Sequence, residues 1–207
     1  MMSADSIFSL NETLQSIEKR HSVRSFTAQD VADDLVNILL HAANEAPSAH
    51  NQQPWHFIVI RNKKKQELAH LVTSGAARFP KPASVLLRMA AKSIMNAPVV
   101  IAVANTGELI ERGTQLFKIE KEMAKDFFRT MEIQSSAAAV ENLLLSATSL
   151  GLSTVWLGIL FLMKDDVLDF LKEPKGEFMA VVPVGYAARP TTGPQKKPLE
   201  MKVRCLV

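Results

Sequence analysis

Apolar residues form short, strand-like runs at four places in this chain of 207 residues. Residues 55–61 alternate in polarity and are rich in aromatic and β-branched side chains, which is typical of a half-buried strand. Residues 98–105 and 178–184 are apolar almost without interruption, as expected for strands that are covered on both faces. Residues 153–156 predict a short fourth strand.

Helical periodicity occupies much of the chain between these runs. The first helix is predicted to begin at a Ser-x-x-Glu capping box formed by Ser9 and Glu12. The predicted helices cover residues 10–17, 31–42, 66–72, 83–94, 133–150 and 163–171. The fifth of these gives the strongest pattern, and its many Ala and Ser side chains allow close approach by neighbouring elements. We therefore place that helix at the centre of the fold.

Two segments show no regular apolar stripe. Residues 106–129 are polar and charged with some helical stretches, and we expect a lid-like excursion over the surface. Residues 191–207 form an irregular tail, and its strand-like end, 202–207, has no obvious partner in its own chain. We expect that end to pair with a neighbouring subunit. The whole pattern predicts one α+β domain over residues 1–207, with a sheet of four to five strands flanked by helices.

Composition narrows the classes of function. Hydrophobic residues make up 47% of the chain and charged residues 22%, which suits a domain with a sizeable core. The formal net charge of +3 is too small to indicate nucleic-acid binding, although it suits small anions. The only cysteine is Cys205, the first ten residues carry no secretory signal, and no apolar run reaches bilayer length. We therefore expect a cytoplasmic protein that binds neither nucleic acid nor membrane.

Common motifs for phosphate, metal and nucleophilic chemistry are absent from the sequence. The eight glycines form neither a Gly-x-Gly-x-x-Gly nor a Walker A loop, and no Gly-x-Ser-x-Gly elbow occurs. The five histidines lack metal-ligand spacing, so no metal is expected. If the chain is an enzyme, its reactive group is borrowed from a cofactor, and side chains must hold any phosphate on that cofactor.

Two stretches carry candidate binding chemistry. In residues 20–24, Arg-His-Ser-Val-Arg, an extended backbone would project Arg20, Ser22 and Arg24 to one side, as a strip for an elongated anion. The alternative is a basic helix end that complements the helix dipole. Residues 47–55, Pro-Ser-Ala-His-Asn-Gln-Gln-Pro-Trp, form a stiff loop rich in donors that could grip a polar ligand. The alternative there is an ordinary helix-to-strand connector.

Three later stretches complete a recognisable set. They are Gly-Leu-Ser-Thr-Val-Trp-Leu-Gly at 151–158, Pro-Val-Gly-Tyr at 183–186 and Lys-Lys-Pro-Leu-Glu at 196–200. Together with the first two, in this order and spacing, they resemble the nitroreductase family of FMN-dependent oxidoreductases over nearly the whole chain. The resemblance implies a mostly antiparallel α+β sheet and a homodimer with FMN at the subunit interface. It also implies that the 191–207 tail wraps around the partner.

The resemblance assigns the FMN phosphate to the first basic stretch. The phosphate and ribityl chain would be held by Arg20, His21 and Ser22. Arg24 would lie near the N1–C2=O edge of the ring, where negative charge collects in reduced flavin. Lys196 would also meet the phosphate, with Lys197 as the alternative.

The resemblance places the remaining cofactor contacts around the flavin ring. Leu157 and Gly158 would lie over one flavin face and offer a backbone N–H to N5. Gln134 would touch the ribityl or pyrimidine region, unless it is simply a solvated helix residue. The other subunit would supply further contacts from Pro47, Ser48, Ala49 and Asn51, with Gln53 nearby.

The activity that the resemblance implies is reduction of the flavin by NADH or NADPH, followed by ping-pong transfer to a nitroaromatic, a quinone or a similar small acceptor. No side chain is assigned as a proton donor, so the chemistry is expected on FMN itself. Phe117, Phe127 and Phe128 are candidates to line the substrate cavity. Two other hypotheses stay open: a specialised reductive dehalogenase or flavin-fragmenting enzyme, and a flavin-binding protein without turnover.

Overall fold

A computed structural model describes residues 8–173 and 176–206 of the chain. Its strands are Trp55–Ile60 (β1), Val99–Asn105 (β2), Ser153–Thr154 (β3) and Glu177–Gly185 (β4). They form a four-stranded antiparallel sheet in the order β1-β2-β4-β3. Helices cover both faces of this sheet, which confirms the predicted α+β architecture.

The structure describes seven helices of eight or more residues. Their bounds are Glu12–Lys19 (α1), Asp33–Asn44 (α2), Asn62–Gly75 (α3), Ala83–Asn96 (α4), Glu108–Leu116 (α5), Lys121–Ser149 (α6) and Lys164–Leu171 (α7). Short 3₁₀ turns span Ala49–Asn51, within the stretch 47–55, and Gly158–Met163, which begins at the last residue of the stretch 151–158.

Strand β2 shows why its sequence is apolar without alternation. Val100 and Ala102 face a core built with α3, α4 and α7. Val99 and Ile101, which point to the opposite face, belong to a second core built with α2 and α6. Every residue of β2 is buried, so a strand covered on both faces reads as a continuous apolar run.

Helix α6 is the central helix, as predicted, but it is longer than its apolar pattern indicated. It spans 29 residues, and the Glu120 carboxylate caps its start by accepting from the backbone N–H groups of Glu122 and Met123 at 2.9 and 2.8 Å. It ends at Ser149, two residues before Gly151, whose φ of +73° suits a helix terminator. The predicted excursion 106–129 therefore consists largely of α5 and the first turns of α6.

Some predicted helix starts and faces were wrong. Asn11, not the Ser9–Glu12 box, caps α1, because its Oδ1 accepts from the Leu14 N–H at 3.0 Å. The spacing of Val31, Leu35, Ile38, Leu39 and Ala42 in the sequence predicts that these residues share the apolar face of the second helix. Helix α2 instead turns Val36 and Leu39 into the core and leaves Ile38 48% exposed.

The C-terminal tail forms no strand in the part that the structure describes. A 3₁₀ turn spans Leu199–Met201, and residues 202–206 follow it without strand pairing, exposed throughout. Val207 lies outside the described residues. Exchange of this tail with a partner subunit stays a prediction. Across the two described ranges, no helix has the length and apolarity needed to cross a lipid bilayer.

Candidate active site

The basic stretch after α1 is extended and runs beside the short strand β3. The Val23 N–H donates to the Thr154 carbonyl at 2.9 Å, and Ser22 forms a parallel bridge to Thr154. Val23 and Phe26 are buried in the core, at 5% and 7% exposure. Because neighbouring residues of an extended chain point to opposite sides, burial of Val23 turns Ser22 and Arg24 outward. The extended strip predicted from the sequence is therefore present.

These outward side chains meet the C-terminal tail around a cleft of about 200 Å³, which we call the basic cleft. It is lined by Arg20, His21, Ser22, Arg24, Thr192, Gly193, Pro194 and Lys196. Its lining includes three cationic side chains and two hydroxyls but no carboxylate within the described chain. The chemistry of this donor set suits a phosphate or another small anion.

His21 holds the tail in place against the strip. Its Nε2 lies 2.7 Å from the Thr191 hydroxyl, and its Nδ1 lies 2.8 Å from the Lys19 carbonyl oxygen. Gly193 passes so close that an added Cβ would lie 3.1 Å from the His21 Cβ. The tail therefore delivers Lys196, and not Lys197, to the lining of the basic cleft.

A second cleft, of about 170 Å³, adjoins the first through their shared residue Arg24. We call it the apolar cleft, since Leu86, Met89 and residues 155–159 form most of its lining. A Cβ built on Gly158 would meet no described atom within 4 Å, so open space lies beside this backbone. Such a surface can receive the face of a planar ring.

The amide groups beside the apolar cleft differ from the expectation in one respect. The Leu157 N–H donates to the Val181 carbonyl at 3.0 Å and is already engaged. The Gly158 N–H, at the start of a 3₁₀ turn, donates to no acceptor among the described residues. Of the predicted pair, Gly158 is therefore the residue whose amide can reach a ligand.

The loop between α2 and β1 is held in an unusual conformation. His50, Asn51 and Gln53 have φ values of 53°, 53° and 48°, a region that non-glycine residues seldom occupy. The Gln53 N–H donates to the Ser48 hydroxyl at 3.0 Å, and the Gln53 side-chain amide donates to Asn51 Oδ1 at 3.0 Å. The loop is also tied to α6, where the Ala49 N–H donates to a serine hydroxyl at 3.0 Å.

This loop does not join the two clefts of its own chain. None of its predicted contact residues lines the basic or the apolar cleft; these are Pro47, Ser48, Ala49, Asn51 and Gln53. Gln134 is exposed on α6, seven residues before Glu141, whose Oε1 lies 3.6 Å from Arg20 Nε. Seven residues are about two helical turns, so Gln134 lies on the Arg20 side of α6, about 10 Å along its axis.

The geometry thus brings together one part of the predicted site and leaves the other part on a separate surface. A comparison with known families decides what the chain is. The sequence profile of the nitroreductase family matches residues 17–186. The chain belongs to the nitroreductase family.

Individual relatives agree with this assignment. A protein of Archaeoglobus fulgidus, provisionally named NADH dehydrogenase/NAD(P)H nitroreductase, is 30% identical over 151 residues, which are 72% of this chain and 69% of that protein. A provisionally named nitroreductase of Desulfovibrio desulfuricans, solved in complex with FMN, is 25% identical with a TM-score of 0.71, covering 95% of this chain and 98% of that one. A BluB-like flavoprotein of Clostridium difficile is 28% identical with a TM-score of 0.71, covering 93% and 98%.

Sequence reasoning missed several residues of the basic cleft and of the contacts that hold the loop. Thr192, Gly193 and Pro194 line the basic cleft but lie in a tail without periodicity, so no pattern marked them. The α6 serine that holds the Ala49 N–H is Ser135, which also donates its hydroxyl to the Met131 carbonyl at 2.7 Å. Its only signal was a hydroxyl within an Ala-rich helix.

Proposed function

We propose that this protein is an FMN-dependent oxidoreductase that uses NADH or NADPH to reduce a nitroaromatic, a quinone or a similar small acceptor by a ping-pong cycle. The observation that supports this most directly is the junction of a basic and an apolar cleft at Arg24. FMN has the same two-part chemistry, an anionic phosphate at one end and a planar ring at the other.

The residues fit the two ends of the cofactor. Arg20, Ser22 and Lys196 would hold the phosphate through charge-assisted hydrogen bonds. The ring would lie against the apolar cleft, beside the open space at Gly158. Bound FMN would supply the two-electron chemistry that links NAD(P)H to the acceptor.

Arg24 and Gly158 would then act on the ring. Arg24 lies at the junction, where its fixed positive charge would stabilise negative charge on the pyrimidine edge. The unengaged Gly158 N–H would donate to a ring nitrogen and orient the ring face. Neither group needs to change its protonation, which fits a protein whose reactive group is the cofactor.

We further propose a homodimer in which the loop 47–53 reaches the partner's FMN. Helix α1 supports the proposal of a homodimer, because it is strongly amphipathic yet buries no residue within its own chain. Ile17 on this helix and Leu10 just before it are 43% and 61% exposed. The tail also exposes apolar side chains, since Leu199, Met201 and Val203 alternate with charged residues in the sequence and are all exposed. In this arrangement residues 191–207 wrap the partner, and residues 106–129 form the lid.

The first test is the cofactor itself. The purified protein should be yellow, release FMN and not FAD on denaturation, and lose its flavin absorbance when NADH or NADPH is added without oxygen. Reoxidation should restore the full spectrum. Failure to bind added FMN would reject the proposal. Binding without reduction would indicate a flavin protein without turnover, and irreversible loss of absorbance would indicate a flavin-fragmenting enzyme.

The second test asks whether each site is built from two chains. Arg20→Glu should repel the phosphate, and a Ser48→Ala/Asn51→Ala double variant should remove loop contacts. In a mixed dimer with shared sites, one site collects both defects and the other is wild type, so activity should return to about one working site per dimer. Verified heterodimers without recovery would place the complete site within one chain. Lys197→Glu, outside the basic cleft, is the matched control for Arg20→Glu.

A further inference from the structure

A third cleft, of about 190 Å³, lies between the loop after α2 and the segment 106–129. We call it the lid cleft. Its main lining residues are His50, Gln52, Leu109, Arg112, Phe117 and Phe128, all from one chain. In the sequence, His50 and Gln52 are direct neighbours of Ala49, Asn51 and Gln53, the loop residues that we propose to touch the partner's FMN. The lid cleft therefore adjoins the proposed flavin site.

The walls of the lid cleft include two aromatic rings that pack against each other. Phe128 is 1% exposed and packs edge-to-face with Phe117, with ring centroids 4.9 Å apart. Phe127 backs this wall by stacking on Phe117 at 6.0 Å. Helix α5 is pressed against the wall, because a Cβ on Gly113 would lie 2.3 Å from the Phe128 ring. Such walls favour a flat aromatic ligand.

One cation faces this aromatic cleft without a counter-ion. Arg112 Nη1 donates to the Gln52 side-chain oxygen at 3.4 Å, and no carboxylate of the described residues lies within 4.0 Å of its guanidinium. By contrast, Arg61, Arg78 and Arg129 each form an ion pair. The Gln52 side chain orients the guanidinium of Arg112, and no carboxylate of the described residues neutralises it. This guanidinium can therefore pair with a carboxylate that a ligand supplies.

We propose that the lid cleft binds the acceptor and that Arg112 selects aromatic acceptors that carry a carboxylate. The aromatic walls hold the ring, and the guanidinium pairs with the acid. This inference rests on the proposed oxidoreductase function, and it narrows the acceptor class from nitroaromatics or quinones in general to anionic aromatic compounds.

Binding tests the cleft without requiring turnover. The probes are 4-nitrobenzoate and 4-nitrobenzamide, which share ring and size but differ in charge, titrated calorimetrically into the purified protein. Wild type should bind the benzoate about twofold to tenfold more tightly, as expected for an ion pair to an exposed arginine. Arg112→Gln should abolish this preference, and Arg112→Lys should keep part of it. Lys118→Gln, which removes the same charge from a residue that does not line the cleft, should change nothing.

Turnover provides the second readout and separates the two proposals. In kcat/KM with NADH or NADPH, the benzoate-to-benzamide ratio should fall about twofold to tenfold in Arg112→Gln and should stay at the wild-type value in Lys118→Gln. Equal binding of both probes, or an unchanged ratio in Arg112→Gln, would overturn the role of Arg112. A protein that binds no FMN would overturn the oxidoreductase proposal, and calorimetry would still judge the lid cleft.

Discussion

Glu132 is a buried acid that ties the lid segment to the central helix. Its side chain is completely buried on α6, and Oε1 accepts from the backbone N–H groups of Leu109 and Ile110 at 2.9 and 3.4 Å. These donors lie in the first turn of α5, so Glu132 caps that helix from a neighbouring element. Oε2 has no hydrogen-bond partner in the described structure. Burial raises the pKa of Glu132, and the backbone donors only partly oppose that rise.

The direction of the pKa shift determines how stability depends on pH. Because the pKa of Glu132 is above its ordinary value of 4.5 in the folded protein, the folded state binds the proton more tightly than the unfolded state. The resulting stabilisation is complete below the unfolded pKa and is lost as pH rises through the folded pKa. Between the two values the loss approaches ~1.4 kcal/mol for each pH unit.

Glu132→Gln isolates this contribution. Glutamine keeps the carbonyl that accepts from the α5 amides, but it cannot ionise. We therefore expect the variant to gain stability relative to wild type as pH rises from about 4.5, the ordinary value for Glu132, and the gain to level off above the raised pKa. Urea unfolding at a series of pH values measures this difference directly.

Glu132→Ala tests the cap itself. It leaves two N–H groups of α5 without their acceptor and opens a cavity, so we expect a loss of roughly 2–4 kcal/mol in the free energy of unfolding. Glu111→Ala, at an exposed acid in the first turn of α5, should change stability by only a few tenths of a kcal/mol. Equal losses in the two alanine variants, or parallel pH profiles for wild type and Glu132→Gln, would refute the reasoning.

Two further predictions concern the proposed flavin site and the lid. Lys196→Ala should weaken FMN binding about tenfold and leave the flavin potential almost unchanged. Arg24→Ala should lower the flavin potential more than the FMN affinity, since the Arg24 charge would lie beside the ring. Lys197→Ala is the control, and equal effects of Arg24→Ala and Lys196→Ala on the flavin potential would contradict this placement. Gly113→Ala should destabilise the protein by about 1–3 kcal/mol in urea unfolding, because its Cβ would lie 2.3 Å from the Phe128 ring; an unchanged midpoint would show that the ring moves freely.

The strands could be predicted because buried strands appear in the sequence as short runs of consecutive apolar residues. The helix starts could not, since several nearby residues have equivalent capping chemistry. Ser9 and Asn11 both suit an N-cap, and only the structure shows that Asn11 accepts from the Leu14 N–H. The start of α6 was missed for a related reason, because a side-chain cap at Glu120 begins the helix well before its apolar stripe becomes regular.

The basic strip was predictable because an extended chain fixes which side chains share a side. Lys196, which is 172 positions from Arg24, was assigned to the same site only by the family resemblance, because no local pattern shows that the folded tail brings it to this cleft. The burial of Glu132 does have a signal in the sequence. Glu132 shares helical spacing with Ser136, Ala139 and Leu143, all buried. A single carboxylate on such a face predicts a buried acid that must find donors on a neighbouring element.

Helix α1 shows where sequence periodicity stops being informative. Leu14 and Ile17 lie at helical spacing in α1, yet the described chain buries none of the residues of this helix. Periodicity specifies an apolar face but not the surface that covers it. The same holds for the apolar residues of the tail, which are exposed within their own chain. The loop 47–53 likewise lies away from both clefts of its own chain. A second copy would cover the apolar surfaces and bring that loop to the flavin, which is why the heterodimer experiment tests the interface and the site together.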